Sequence, residues 1–69
     1  MIVKVKLLPR EKKFKDIELK NKAQGQDLLK NLNLQPDAYI IARKDNPIPL
    51  DEELKEGEKI TIFQVISGG

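Results

Sequence analysis

The sequence predicts an α+β fold in which one short helix packs across a single mixed sheet of four to five strands. Three observations predict it. Two runs of alternating apolar and charged residues open the chain, a leucine cluster at helical spacing follows, and the most strongly β-forming run, KITIFQVI, comes near the end.

Each element follows from its local pattern. In MIVKVKLL, Val3, Val5 and Leu7 alternate with Lys4 and Lys6, the period of a strand wet on one face. FKDIEL (14–19) repeats that pattern through Ile17 and Leu19, and the polar PREKK between the two predicts an antiparallel hairpin. DLLKNL then sets Leu28, Leu29 and Leu32 on one side of a short helix, with Lys30 and Asn31 toward water and Leu34 as an anchor beyond its end. Gln24-Gly25-Gln26 supplies no strong N-cap and places a glycine in the first turn, so the helix start is weakly specified. Pro36 cannot continue a helix and biases Gln35 to extended geometry.

AYIIAR (38–43) is apolar and β-branched, which predicts a buried strand; KDNP follows as a turn. Ile48-Pro49-Leu50 is expected as a brief edge segment, because Pro49 has no amide hydrogen to donate. DEELKEGE is expected to form a helical turn around Leu54, closed by Gly57, before KITIFQVI (59–66) makes the last strand. Two hairpins around one crossing helix in 69 residues describe the β-grasp, with the first and last strands side by side and parallel at the centre. Residues 1–65 are expected to be this domain, and 66–69 a flexible tail.

Composition excludes several kinds of chemistry. A chain of 69 residues buries only about 60% of its unfolded surface, so a deep enclosed active site is not expected. With no Cys and no His, there is no thiolate nucleophile, no disulfide, no Cys/His zinc site and no Ser-His or Cys-His arrangement. Lys4, Lys6, Arg10, Lys12, Lys13, Lys15, Lys20 and Lys22 crowd the first third, while Asp51, Glu52, Glu53, Glu56 and Glu58 precede the last strand. The acidic group matches no EF-hand spacing and is expected to be a solvated surface. The basic third has no interleaved aromatic platform, since Phe14, Tyr39 and Phe63 are the only aromatics, so direct nucleic-acid binding is not expected. No apolar run approaches the ~20 residues of a membrane span, and no signal-peptide core opens the chain. A cytoplasmic monomer without membrane contact is the expectation.

The candidate site is the tail. Ile66-Ser67-Gly68-Gly69 directly follows a strand, so the carboxylate of Gly69 is expected on a short lead from a rigid body. Two glycines lack Cβ atoms and can thread a narrow channel, a role Ser67 shares in part. A terminal carboxylate, with a reference pKa of about 3.3–3.7, is an anion at neutral pH and can attack the α-phosphate of ATP when an enzyme aligns the two. Sulfide or a thiol can convert the acyl-adenylate to a thiocarboxylate, and a lysine amine can convert it to an isopeptide. Phe63 and Val65 share a strand face opposite Ile60 and Ile62; if the isoleucines point inward, Phe63 and Val65, with Ile66, form an apolar docking patch beside the tail.

FQVISGG, following the Gly-Glu turn of EGEKI, resembles the C-terminal signature of the ThiS/MoaD family of sulfur carriers, which are ubiquitin-like. NLNLQPDAYII and PLDEELKEGEKI are similar to the loop, strand and acidic turn before the tail in that family, and the resemblance spans essentially the whole chain. It implies adenylation of Gly69 by an E1-like enzyme that uses ATP and magnesium, with no cofactor bound by this chain. Gly68 matches the other family glycine. The implied partners are that enzyme, a sulfur donor such as a cysteine desulfurase or rhodanese, and a sulfur-acceptor enzyme; the chain itself is a co-substrate, not an enzyme. Three sulfur destinations fit: tRNA 2-thiouridine, the thiazole of thiamine, and molybdopterin. The REKK hairpin, the LNLQPDA loop and the ISGG ending look closest to carriers for tRNA thiolation, and FQVI to thiamine carriers. The alternative is a ubiquitin-like modifier joined through Gly69 to lysines. One departure stands out: Gly25 occupies a position where the family usually has a β-branched core residue, which predicts a weak first helical turn.

Overall fold

The computed structural model of the chain describes residues 1–65. Strand β1 (Ile2–Leu8) and strand β2 (Lys15–Glu18) form the opening hairpin, helix α1 (Gly25–Asn31) crosses the sheet, and β3 (Tyr39–Arg43), β4 (Asn46–Ile48) and β5 (Lys59–Gln64) complete it. The sheet order is β2-β1-β5-β3-β4. β5 is therefore central, parallel to β1 with Leu7 beside Ile62, and antiparallel to β3 with Ile41 beside the same Ile62. This is the β-grasp arrangement expected from the residue pattern, with five strands.

The core follows from the period of two. Val3 and Val5 of β1, Ile41 of β3, and Ile60 and Ile62 of β5 all face α1, whose Leu28 and Leu29 close over them, each at most 1% exposed. Each such side chain contributes about 1.5–3 kcal/mol by leaving water. Leu19, Ala23 and Leu54 join the same cluster, while Leu32 and Leu34 pack against it half-buried.

Four local expectations are revised by the tertiary contacts. First, α1 is well anchored at its start. The Asp27 carboxylate accepts the Gln24 N–H at 2.8 Å, and the first-turn amides of Gly25 and Gln26 donate to the carbonyls of Glu52 and Leu50 at 3.1 and 2.8 Å. These bonds satisfy amides that no intrahelical carbonyl can reach. Second, the segment around Leu54 is not a helical turn. It runs extended beside residues 23–24, with Gln24 bridged to Glu53 and the Leu54 N–H donating to Ala23 O at 2.8 Å. Gly57 does close it, at a φ of 74° that suits glycine.

Third, β4 spans Asn46–Ile48 and so holds Pro47, not Pro49. Lys44 and Asp45 both have positive φ, 49° and 68°, the backbone of a tight two-residue hairpin turn that brings β4 back one residue after the turn. Because β4 is the sheet edge, a residue without an N–H is tolerated there. Fourth, β3 is buried only in part: Ile41 and Ala42, adjacent and so on opposite faces, are buried, while Ile40 is 45% exposed. Pro36–Ala38 forms a single 3-10 turn that leads into β3.

Candidate functional site

β5 has a neighbour on each side, and its antiparallel pairing with β3 extends past the strand's end, where the Val65 N–H donates to Ala38 O at 2.8 Å. The point from which Ile66, Ser67, Gly68 and Gly69 depart is thus held by the centre of the sheet. Those four positions themselves lie outside the described residues.

The face of the sheet turned away from α1 is set by the inward burial of Ile60 and Ile62, which forces Phe63 outward. Phe63 and Val65 are each 38% exposed, as the docking patch requires. The register extends the patch beyond β5. Leu8 of β1 and Ile40 of β3 flank Phe63 on either side, so one apolar row crosses three strands near the end of β5. Leu8 and Ile40 escaped sequence reasoning because each sits in a continuous apolar run; the signal that finds Ile40 is the alternation within AYIIAR once Ile41 is set inward.

Farther down the same face, nearer the start of β5, the character changes from apolar to basic. Lys4 pairs with Lys59 across the β1–β5 ladder, and Lys6 with Thr61. The ammonium of Lys6 lies 4.9 Å, and that of Lys59 5.5 Å, from the centre of the Phe14 ring, the geometry of cation–π contact. Lys4 is engaged by Asp16 at 3.1 Å.

Arg43, at the end of β3, organises the acidic segment that leads into β5. Its Nη1 donates to Glu52 Oε2 and its Nη2 to Glu53 O, both at 3.1 Å, while Nε lies 2.7 Å from Glu58 Oε2 and Nη2 reaches Glu58 Oε1 at 3.2 Å. The hydrogen bond to Glu58 raises the guanidinium pKa above the ordinary arginine value; burial opposes this and the bond to Glu52 adds to it. Glu56 accepts the Ile2 N–H at 3.1 Å. The acidic group is therefore partly structural: Glu52, Glu56 and Glu58 tie the chain to β3 and β1, and only Asp51 and Glu53 behave as the freely solvated carboxylates expected.

Among the described residues no cluster of three or more His, Cys, Asp or Glu side chains is placed to hold a metal, and no helix is long and apolar enough to cross a membrane. What the site does offer is a rigid central strand with a broad apolar row beside its exit.

Comparison with known proteins agrees with this architecture. The model of the ThiS family matches residues 5–69. An uncharacterized protein of Archaeoglobus fulgidus is 28% identical over 69 residues, covering all of both chains. The sulfur carrier protein TtuB of Thermus thermophilus is 27% identical over 55 residues, 80% of this chain and 85% of that one. Among solved structures, SAMP1 from Haloferax volcanii superposes with a TM-score of 0.73 at 18% identity over the whole of both chains. A Caldiarchaeum subterraneum ubiquitin gives 0.71 at 17% identity, covering all of this chain and 98% of the other. The β-grasp body, its central last strand and a family match running from β1 through the terminal glycine together place this chain in the ThiS family of ubiquitin-like sulfur carriers.

Proposed function

We propose that this protein carries sulfur as a thiocarboxylate on Gly69. The observation that supports the reading best is the family match, which continues through Gly69 and includes the tail. The Gly69 carboxylate oxygen attacks the α-phosphorus of ATP, forming an acyl-adenylate and releasing pyrophosphate. Hydrosulfide, released when a thiol reductant attacks the persulfide of a donor such as a cysteine desulfurase or rhodanese and is itself left as a disulfide, attacks the acyl carbon and expels AMP, leaving the thiocarboxylate. An E1-like enzyme provides the ATP and magnesium site, and a sulfur-acceptor enzyme takes the sulfur onward; this chain is the co-substrate and catalyses neither step. Phe63 and Val65, with Ile66, dock the activating enzyme, while Ser67 and Gly68 thread its channel.

Of the three sulfur destinations, tRNA thiolation is the one favoured, on the resemblance of the REKK hairpin, the LNLQPDA loop and the ISGG ending to carriers that serve it. A second reading, attachment of Gly69 to lysine amines, uses the same adenylate and is compatible with the fold shared with Caldiarchaeum ubiquitin. Intact-mass measurement of the protein from its native cell separates the two. The carrier shows the gain expected when one oxygen is replaced by sulfur, and the modifier shows larger conjugates. Removal of Gly69 is expected to abolish both. A chain without Gly69 that is still activated would refute the chemistry.

A further inference from the structure

The antiparallel ladder between β3 and β5 closes on an unequal pair. Tyr39 lies beside Gln64, and one step further out the Val65 N–H donates to Ala38 O at 2.8 Å. A hydrogen-bonded antiparallel pair normally exchanges two such bonds. Here the return donor is already spent, because the Ala38 N–H donates to Gln35 O at 3.0 Å within the Pro36–Ala38 turn. Two positions back, where the next N–H facing the last strand would stand, is Pro36, which has none to give. On the other side β1 ends sooner, with Leu8 beside Phe63 and Pro9 next in sequence. Among the described residues Val65 is therefore tied from one side only, by one backbone bond. The turn that ties it is itself anchored. Leu34 before it and Tyr39 after it pack against the core cluster, the Leu34 N–H donates to Leu29 O at 2.8 Å, and proline fixes the first φ of the turn.

We propose that the Pro36–Ala38 turn is a ladder stop that sets the working length of the tail. It pins Val65 and withholds the donors that would pair the next residues with β3, so that Ile66, Ser67, Gly68 and Gly69 are left for the activating enzyme's channel. The inference rests on the carrier reading above. Four residues span at most about 13–14 Å at about 3.3–3.6 Å each, so the stop fixes how far the Gly69 carboxylate reaches from the docked body. Pro36 and Ala38 are positioning residues that act through Val65. Freeing Val65 adds one residue of backbone that must be ordered each time the carboxylate is aligned, which slows adenylation and leaves docking alone.

The test uses the full chain, chemically synthesised with an ester in place of the Gln64–Val65 amide, and the E1-like enzyme from the same cell. ATP–pyrophosphate exchange is followed as carrier concentration is varied. The ester deletes the Val65 N–H and keeps the side chain. It is expected to lower kcat about fivefold or more, the low end of what ordering one residue costs, and to leave KM within about twofold. A chain with one glycine inserted between Val65 and Ile66 should show the same split, and circular dichroism melts check that both chains keep the fold. Hydrogen exchange reads the stop without any enzyme. The Val65 amide should be protected at least about tenfold in the unmodified chain and lose that protection in Pro36→Gly, while the amide of Ile62 at the centre of the sheet stays protected. An unchanged kcat in the ester chain or in the insertion, or a Val65 amide that exchanges as fast as in an unfolded peptide, overturns the stop and leaves the carrier reading standing. No pyrophosphate exchange with the unmodified chain, its Val65 amide still protected, removes the carrier reading and with it the role given to the turn.

Discussion

Replacing Gly25 by alanine tests how α1 is fitted to the sheet. A Cβ at this position would overlap the Cδ1 of Ile41 and lie 3.4 Å from the carbonyl oxygen of Leu50. The overlap is far inside van der Waals contact. Ile41 is fully buried within the core cluster, so its terminal methyl has to turn into close-packed space or the helix has to lift. Overpacking of this kind costs about 1–3 kcal/mol. Against it stands the better helix propensity of alanine, up to about 1 kcal/mol in a helix interior and less at a first turn. The net expectation is a loss of about 1–2 kcal/mol, which for a domain of this size lowers Tm by about 4–16 °C at 4–8 °C per kcal/mol. Thermal melts followed by circular dichroism measure it. The mechanism has its own control, because Ile41→Val deletes the clashing methyl at a cost of about 0.5–1.5 kcal/mol when made alone. In the double variant the two losses should add to less than their sum by about 1 kcal/mol or more, since valine vacates the space the new Cβ needs. A G25A chain as stable as the parent, or a strictly additive double variant, would refute the close approach as the reason glycine stands here.

Two further outcomes follow. Arg43→Met leaves Glu58, whose side chain is 11% exposed, without its cation and frees the 52–58 segment from β3; with the pair partly solvated, the expected loss is about 1–3 kcal/mol, between the values for exposed and buried pairs. The guanidinium pKa is raised in the folded state, so its contribution is complete below the ordinary arginine value and lost only as pH rises through the raised one; the Tm difference between parent and R43M should therefore stay constant from about pH 7 to about pH 10. Ile62→Ala, at a fully buried position flanked by Leu7 and Ile41, should cost about 2–5 kcal/mol in chemical denaturation, while Phe63→Ser, one residue on but facing outward, should stay within about 1 kcal/mol of the parent and weaken activation instead. Equal destabilisation by both would mean that the two faces of β5 have been assigned wrongly.

That Phe63 and Val65 share one face of the last strand was legible in one dimension, whereas their direction was left open there. The outward direction of Phe63 and Val65 follows from the inward burial of Ile60 and Ile62, a relation the strand period enforces wherever the strand lies. The acidic segment was the weakest reading. Helix-forming residues surround Leu54, yet it is extended because the orphan first-turn amides of α1 and the guanidinium of Arg43, both remote in sequence, take its carbonyls and carboxylates.

By itself the sequence determined the order of elements, the α+β class, the leucines that close the core and the exclusion of thiol and imidazole chemistry, because periodicity and residue type are local properties. Only the tertiary structure decided that Leu8 and Ile40 join Phe63 in one row, that Lys6 and Lys59 meet over Phe14, and that Gly25 is the residue a close helix–strand contact allows. Each of these depends on which strand lies beside which and in what register, and register is settled by contacts between residues distant along the chain.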